Sequence, residues 1–102
     1  MKIVQIKMDK ERNLKYGMNA VIKLEKDLGM SITEMQEGMS MENLVKIAFY
    51  GLKWEDKKLT IEDVGDLMDS AIEHYETFDE VIKLIMEAFT ATFGKKALPS
   101  KK

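Results

Sequence analysis

Any catalytic or metal chemistry in this chain must be built around one histidine, His74, and the carboxylates near it, because the sequence has no cysteine. A disulfide framework and a thiolate metal site are therefore both excluded. His74 sits among Glu73, Glu76 and Asp69 on the polar side of a helical pattern, where a surface histidine is expected. Between Leu59 and Ile82 the chain carries eight carboxylates and no Lys or Arg: Glu62, Asp63, Asp66, Asp69, Glu73, Glu76, Asp79 and Glu80. Helical spacing spreads these groups along a face instead of gathering them around one cation. They read as a solvated acidic face.

The segment DKKLTIEDV lies between two helical patterns and superficially suggests a calcium loop. Starting that loop at Asp56 puts Lys58 and Thr60 at the second and third ligand positions, Ile61 where the sharp turn needs glycine, and Leu67 where a bidentate glutamate belongs. The pattern does not fit. No glycine-rich phosphate loop, zinc spacing or nucleophile elbow is present either, so the sequence predicts no enzyme and no cofactor or metal.

Charge argues against two further classes of partner. Net charge is −2 with a pI near 5.5, and the helical stretches around 61 to 75 and 78 to 93 are respectively acidic and apolar. Neither offers the Arg, Lys, Asn or Gln face that base reading and phosphate contact require, so nucleic acid is not expected. The start, MKIVQIKMDKER, is too charged and too short in apolar residues for a signal peptide, and no apolar run of about 18 residues exists to span a membrane. A cytoplasmic protein is expected.

The elements that organise these residues read clearly in most places. Residues 2 to 8 alternate as a strand with Val4, Ile6 and Met8 on one face, DKERN reads as a turn, and Leu14 to Tyr16 as a second short strand. A helix follows from Gly17 to Leu28 with Ala20 or Val21, Leu24 and Leu28 on its stripe, stopped by Gly29. Thr33 to Glu37 suggests one more turn. Ser40 caps a helix whose apolar residues are Met41, Leu44, Val45, Ala48, Phe49 and Leu52. WEDKK, residues 54 to 58, is a charged connector. Thr60 with Asp63 opens a helix to about Tyr75, with Ile61, Val64, Met68, Ala71, Ile72 and Tyr75 on its buried side. Thr77 with Glu80 forms a capping box for a last helix to about Phe93, apolar nearly all round and ended by Gly94. Such a helix is either central in the fold or covered by another molecule. The expectation is a mainly α (α+β) single domain over 1–94: an N-terminal β-hairpin, then a bundle of about four to five helices. Residues 95–102, rich in lysine, are expected to be a disordered tail.

With catalysis, metals and nucleic acid set aside, a protein-binding surface remains. Four of the nine methionines, Met30, Met35, Met39 and Met41, fall in one stretch with Ile32, between Gly29 and Met41. Methionine side chains are flexible and polarizable and adapt to irregular apolar partners. The candidate partner-binding residues are therefore Met30, Ile32, Met35, Met39 and Met41, with Met86, Phe89 and Phe93 from the last helix.

Three stretches carry a family resemblance. Tyr16-Gly-Met-Asn-Ala-Val-Ile-Lys-Leu-Glu25 followed by Gly29-Met-Ser-Ile32, then Ala48-Phe-Tyr-Gly-Leu52, then Leu59-Thr-Ile-Glu-Asp-Val64 together resemble, in order and spacing over roughly residues 1 to 93, the small tail assembly chaperones of long-tailed bacteriophages and prophages. The resemblance implies a non-enzymatic helical protein of the host cytoplasm that binds the tape measure protein, keeps it soluble until tail tube subunits polymerise around it, and contacts the tail tube protein in turn. A homo-oligomer is compatible with it. The alternatives are a small virion structural protein of the tail or head-tail junction, and a helical DNA-binding regulator.

Overall fold

The computed structural model describes residues 3–31, 34 and 40–91. Strand β1, Val4–Lys7, pairs antiparallel with β2, Glu11–Leu14, in the register Val4 to Leu14 and Ile6 to Arg12. Val4, Ile6 and Met8 are buried as the alternation predicts. The second strand begins three residues earlier than expected, inside the DKERN segment, and the turn tightens to Met8, Asp9 and Lys10. The reason is Arg12. It occupies an inward position beside Leu14, where its guanidinium is sheathed by Asp9 (2.8 and 3.0 Å) and Asp56 (3.4 Å). A charged residue at an inward site hides the alternation on which strand recognition depends.

Four helices follow among the described residues: α1 (Met18–Leu28), α2 (Met41–Leu52), α3 (Ile61–Ile72) and α4 (Phe78–Ala91). The single turn expected over Thr33 to Glu37 falls, apart from Glu34, outside the described residues, as does the expected tail at 95–102. Each helix end has a local cause. Gly29 takes a left-handed φ of 66° and returns its N–H to the Glu25 carbonyl, closing α1. Ser40 Oγ accepts from the Asn43 amide, and Thr60 with Asp63 forms a complete capping box. At α4, Thr77 accepts from the Glu80 amide, while the Glu80 carboxylate accepts from the Glu76 amide, one residue earlier than a standard box.

Both outer edges of the hairpin are occupied at specific atoms. On β2, the Lys15 amide donates to the Gly51 carbonyl (3.0 Å), Glu55 accepts from both the amide and the side chain of Asn13, and the Trp54 indole N–H donates to the Asn13 carbonyl. On β1, the Lys7 amide donates to the Tyr75 hydroxyl, and His74 Nε2 lies 2.8 Å from the Met8 carbonyl. The connector of residues 54 to 58 is thus a clamp on the hairpin. Edges satisfied in this way are poor templates for strand addition.

The last helix buries one face in the core. α4 packs on β1, α2 and α3 through Val81, Ile85, Ala88 and Phe89. Phe89 is fully buried and meets Tyr16 edge-on, with ring centroids 5.3 Å apart. Tyr16, also fully buried, donates its hydroxyl hydrogen to the Ile47 carbonyl of α2, and burial pushes its ionisation far above the ordinary tyrosine range. Its ring fills the space a side chain at Gly51 would need: a Cβ there would lie 2.5 Å from Tyr16 Cζ. The helix α2, packed by α1, α3, α4 and β2, buries Leu44, Ala48, Phe49 and Leu52 of the stripe expected for it and Ile47 besides, while Val45 is half-buried and Met41 exposed.

Candidate functional site: two grooves flanking α2

Helix α3 buries Val64, Met68 and Ala71 as its pattern suggests, but not the whole of the expected face. Val64, Leu67, Met68 and Ala71 are buried, whereas Ile61 and Ile72, expected on the buried side, are 37% and 43% exposed. Ile61, Gly65, Met68 and Ile72 follow at i, i+4, i+7 and i+11 along one shoulder of the helix. Leu67 joins the core, Met68 stays buried, and Ile61 and Ile72 are left exposed at the edge of the buried face.

Part of the shoulder forms one wall of an open groove of about 330 Å³, and the start of α2 forms the other. Met41 and Val45 come from α2, Met68 and Ile72 from α3, and Phe78 closes one end. Gly65 lies on the groove lining, and a Cβ placed there would meet no atom within 4 Å. The lining is apolar except for Asp69, and Met41 at its mouth is 58% exposed. Asp69 is the one carboxylate on that lining, and all eight carboxylates between Leu59 and Ile82 are exposed.

The residues expected to bind a partner divide sharply in their placement. Met41 is exposed on the groove just described. Met30 is half-buried against the core, its sulfur 3.4 Å from the Asn43 side-chain nitrogen, and Met86 is also half-buried. Phe89 is a correction: its contact with Tyr16 in the centre of the core leaves it no surface to offer. The covered face of α4 is covered by its own chain. Ile32, Met35, Met39 and Phe93 lie outside the described residues.

A second groove, of about 570 Å³, was not legible in the sequence. It lies between the N-terminus of α1 and the C-terminal half of α2. Its apolar surface is Phe49, Tyr50 and Trp54, and its rim is Lys15, Lys23, Lys53 and Lys57. The Lys15 ammonium sits 4.2 Å from the Trp54 ring centre and that of Lys53 4.8 Å from Phe49. Tyr50 donates to Asp27, and burial together with that carboxylate raises the phenol's pKa. The available signal was the run of lysines Lys53 and Lys57 beside Phe49, Tyr50 and Trp54 at the end of α2 and in the connector. It was obscured because Phe49 reads as core and the connector as a solvated charge run.

His74 Nε2–H donates to the Met8 carbonyl at the end of β1. Among the described residues no group of three or more His, Asp or Glu side chains converges as metal ligands, and no helix is long and apolar enough to cross a membrane. The chain matches no family model, no curated protein and no solved structure.

Proposed function

We propose that this chain is a non-enzymatic tail assembly chaperone that holds helical segments of a phage tape measure protein in the groove between α2 and α3, within the host cytoplasm. The observation that carries the reading is the position of that groove: Met41, its most exposed apolar residue, is the last residue of the methionine-rich stretch and the first of α2. A client helix laying an apolar stripe against Met41, Val45, Met68, Ile72 and Phe78 uses a helix-in-groove mode, with anchors one or two turns apart. The methionines supply adaptability toward the varied segments of a long client. Asp69 on the lining favours clients with a basic residue beside the apolar stripe, and the exposed carboxylates of the chain help to keep the complex soluble.

The test is co-expression with the tape measure protein of the same phage or prophage, using the wild-type chain and a Met41→Glu/Ile72→Glu variant. Both positions are exposed, so the variant folds. Charges placed in an apolar contact weaken client binding by about tenfold or more, and the client shifts to the insoluble fraction. Recovery of the chain as a stoichiometric component of purified virions would instead identify a structural subunit.

A further inference from the structure

We infer that the groove between α1 and α2 is a second docking site, for an acidic segment of a protein partner that carries an aromatic or bulky aliphatic side chain between its carboxylates. This inference concerns a different surface from the α2–α3 groove and holds whether or not the chain is a tail assembly chaperone.

Charge is the first argument. Among the described residues none of the four rim lysines, Lys15, Lys23, Lys53 and Lys57, has a carboxylate within ion-pair distance, although the chain as a whole is acidic. Three carboxylates near these lysines in sequence are committed elsewhere: Glu55 to Asn13, Asp56 to Arg12, and Asp27 to Lys46 and Tyr50. Four like charges around one concavity repel each other, and an anionic partner relieves that repulsion. The first turn of α1 adds to the same field, since Gly17 supplies no capping side chain and no acidic residue follows it.

Shape and chemistry narrow the partner. Phe49, Tyr50 and Trp54 give the groove an aromatic interior of a size to take one large side chain and the backbone beside it. Two of the lysines already lie on aromatic faces, so a carboxylate that draws their ammonium groups toward the rim leaves Trp54 and Phe49 free to pack on the incoming side chain. A phosphate backbone is a poorer fit. It needs a continuous basic track, and here the positive charge is confined to one groove on a chain of net charge −2. A purely apolar helix would leave the lysines uncompensated.

Trp54 is the only tryptophan in the chain and lines this groove, so its emission reports occupancy directly. The full chain is titrated with an acetylated, amidated peptide Asp-Glu-Phe-Glu-Asp, with Asn-Gln-Phe-Gln-Asn, with Asp-Glu-Gly-Glu-Asp, and with an oligothymidylate of equal charge. The expected result is a saturable change in Trp54 emission with the first peptide, at least about tenfold weaker binding for each of the other three ligands, and a similar loss for the first peptide at about 0.5 M salt. Lys53→Glu/Lys57→Glu, and independently Lys23→Glu, abolish the response while leaving the far-ultraviolet circular dichroism unchanged. Equal binding of the neutral peptide, tighter binding of the oligonucleotide, or no response to any acidic peptide would overturn the assignment. If one set of charge-reversal variants fails to fold, the other decides. Loss of this response with retained tape measure binding separates the two sites.

Discussion

Arg12 carries the largest burden of any single polar residue in this fold. It is the one charged side chain among the described residues that the core encloses, and it joins the hairpin turn to the clamp through Asp9 and Asp56. The Arg12 hydrogen bond is the main reason the Asp9 carboxyl is held below the usual carboxylate range. A carboxyl whose pKa falls on folding stabilises the native state above its unfolded pKa and loses that contribution as pH drops through the folded value. The stability that depends on Asp9 is therefore present at neutral pH, begins to fall near about pH 4 and is lost as pH drops through the lower folded value. Arg12→Met should lower the urea midpoint at pH 7, by about 1–2 kcal/mol once the partial exposure of both carboxylates is allowed for, and the gap from wild type should narrow at pH 3. At Tyr16 the hydroxyl bond to Ile47 is buried, so Tyr16→Phe should cost about 1–2 kcal/mol. Phe89→Ala should cost about 3–5 kcal/mol, where a client-facing residue would have cost almost nothing. Equilibrium unfolding measures all three.

Two glycines in adjacent helices make opposite predictions. Gly51 in α2 is required by the Tyr16 ring, so Gly51→Ala overpacks the core and should destabilise by about 1–3 kcal/mol. Gly65 in α3 faces open space, so Gly65→Ala should stabilise by about 0.5–1 kcal/mol through helix propensity alone. The same contrast describes what the sequence could disclose about elements. Helices with a capping residue and a one-sided apolar stripe, such as α2 with Ser40 and α3 with Thr60, are legible because local hydrogen bonding and periodicity agree. The second strand was displaced because Arg12 breaks alternation. The outward turn of Ile61 and Ile72 was hidden because an apolar residue on the shoulder of a helix has the same periodicity as one at its centre. Neither groove follows from periodicity, since each is made by residues from two elements whose packing decides the gap between them.

At the scale of the whole molecule, the hairpin edges are occupied, α4 buries one face in the core, and two open apolar concavities lie on either side of α2 with different charge on their linings. The α2–α3 groove carries one carboxylate, Asp69, on its lining, the α1–α2 groove four lysines. A protein so arranged can hold two chemically distinct segments at once, which suits a role in bringing a client to an assembling structure. The proposed chaperone activity rests on the first of these grooves. The most direct measurement is the soluble fraction of the tape measure protein co-expressed with wild-type chain, with Gly65→Leu, which fills the groove from its lining, and with Met41→Glu/Ile72→Glu. The account predicts a soluble complex with wild type and insoluble client with both variants, each variant remaining folded. Undiminished client solubility with both folded variants, or none with wild type, would contradict it.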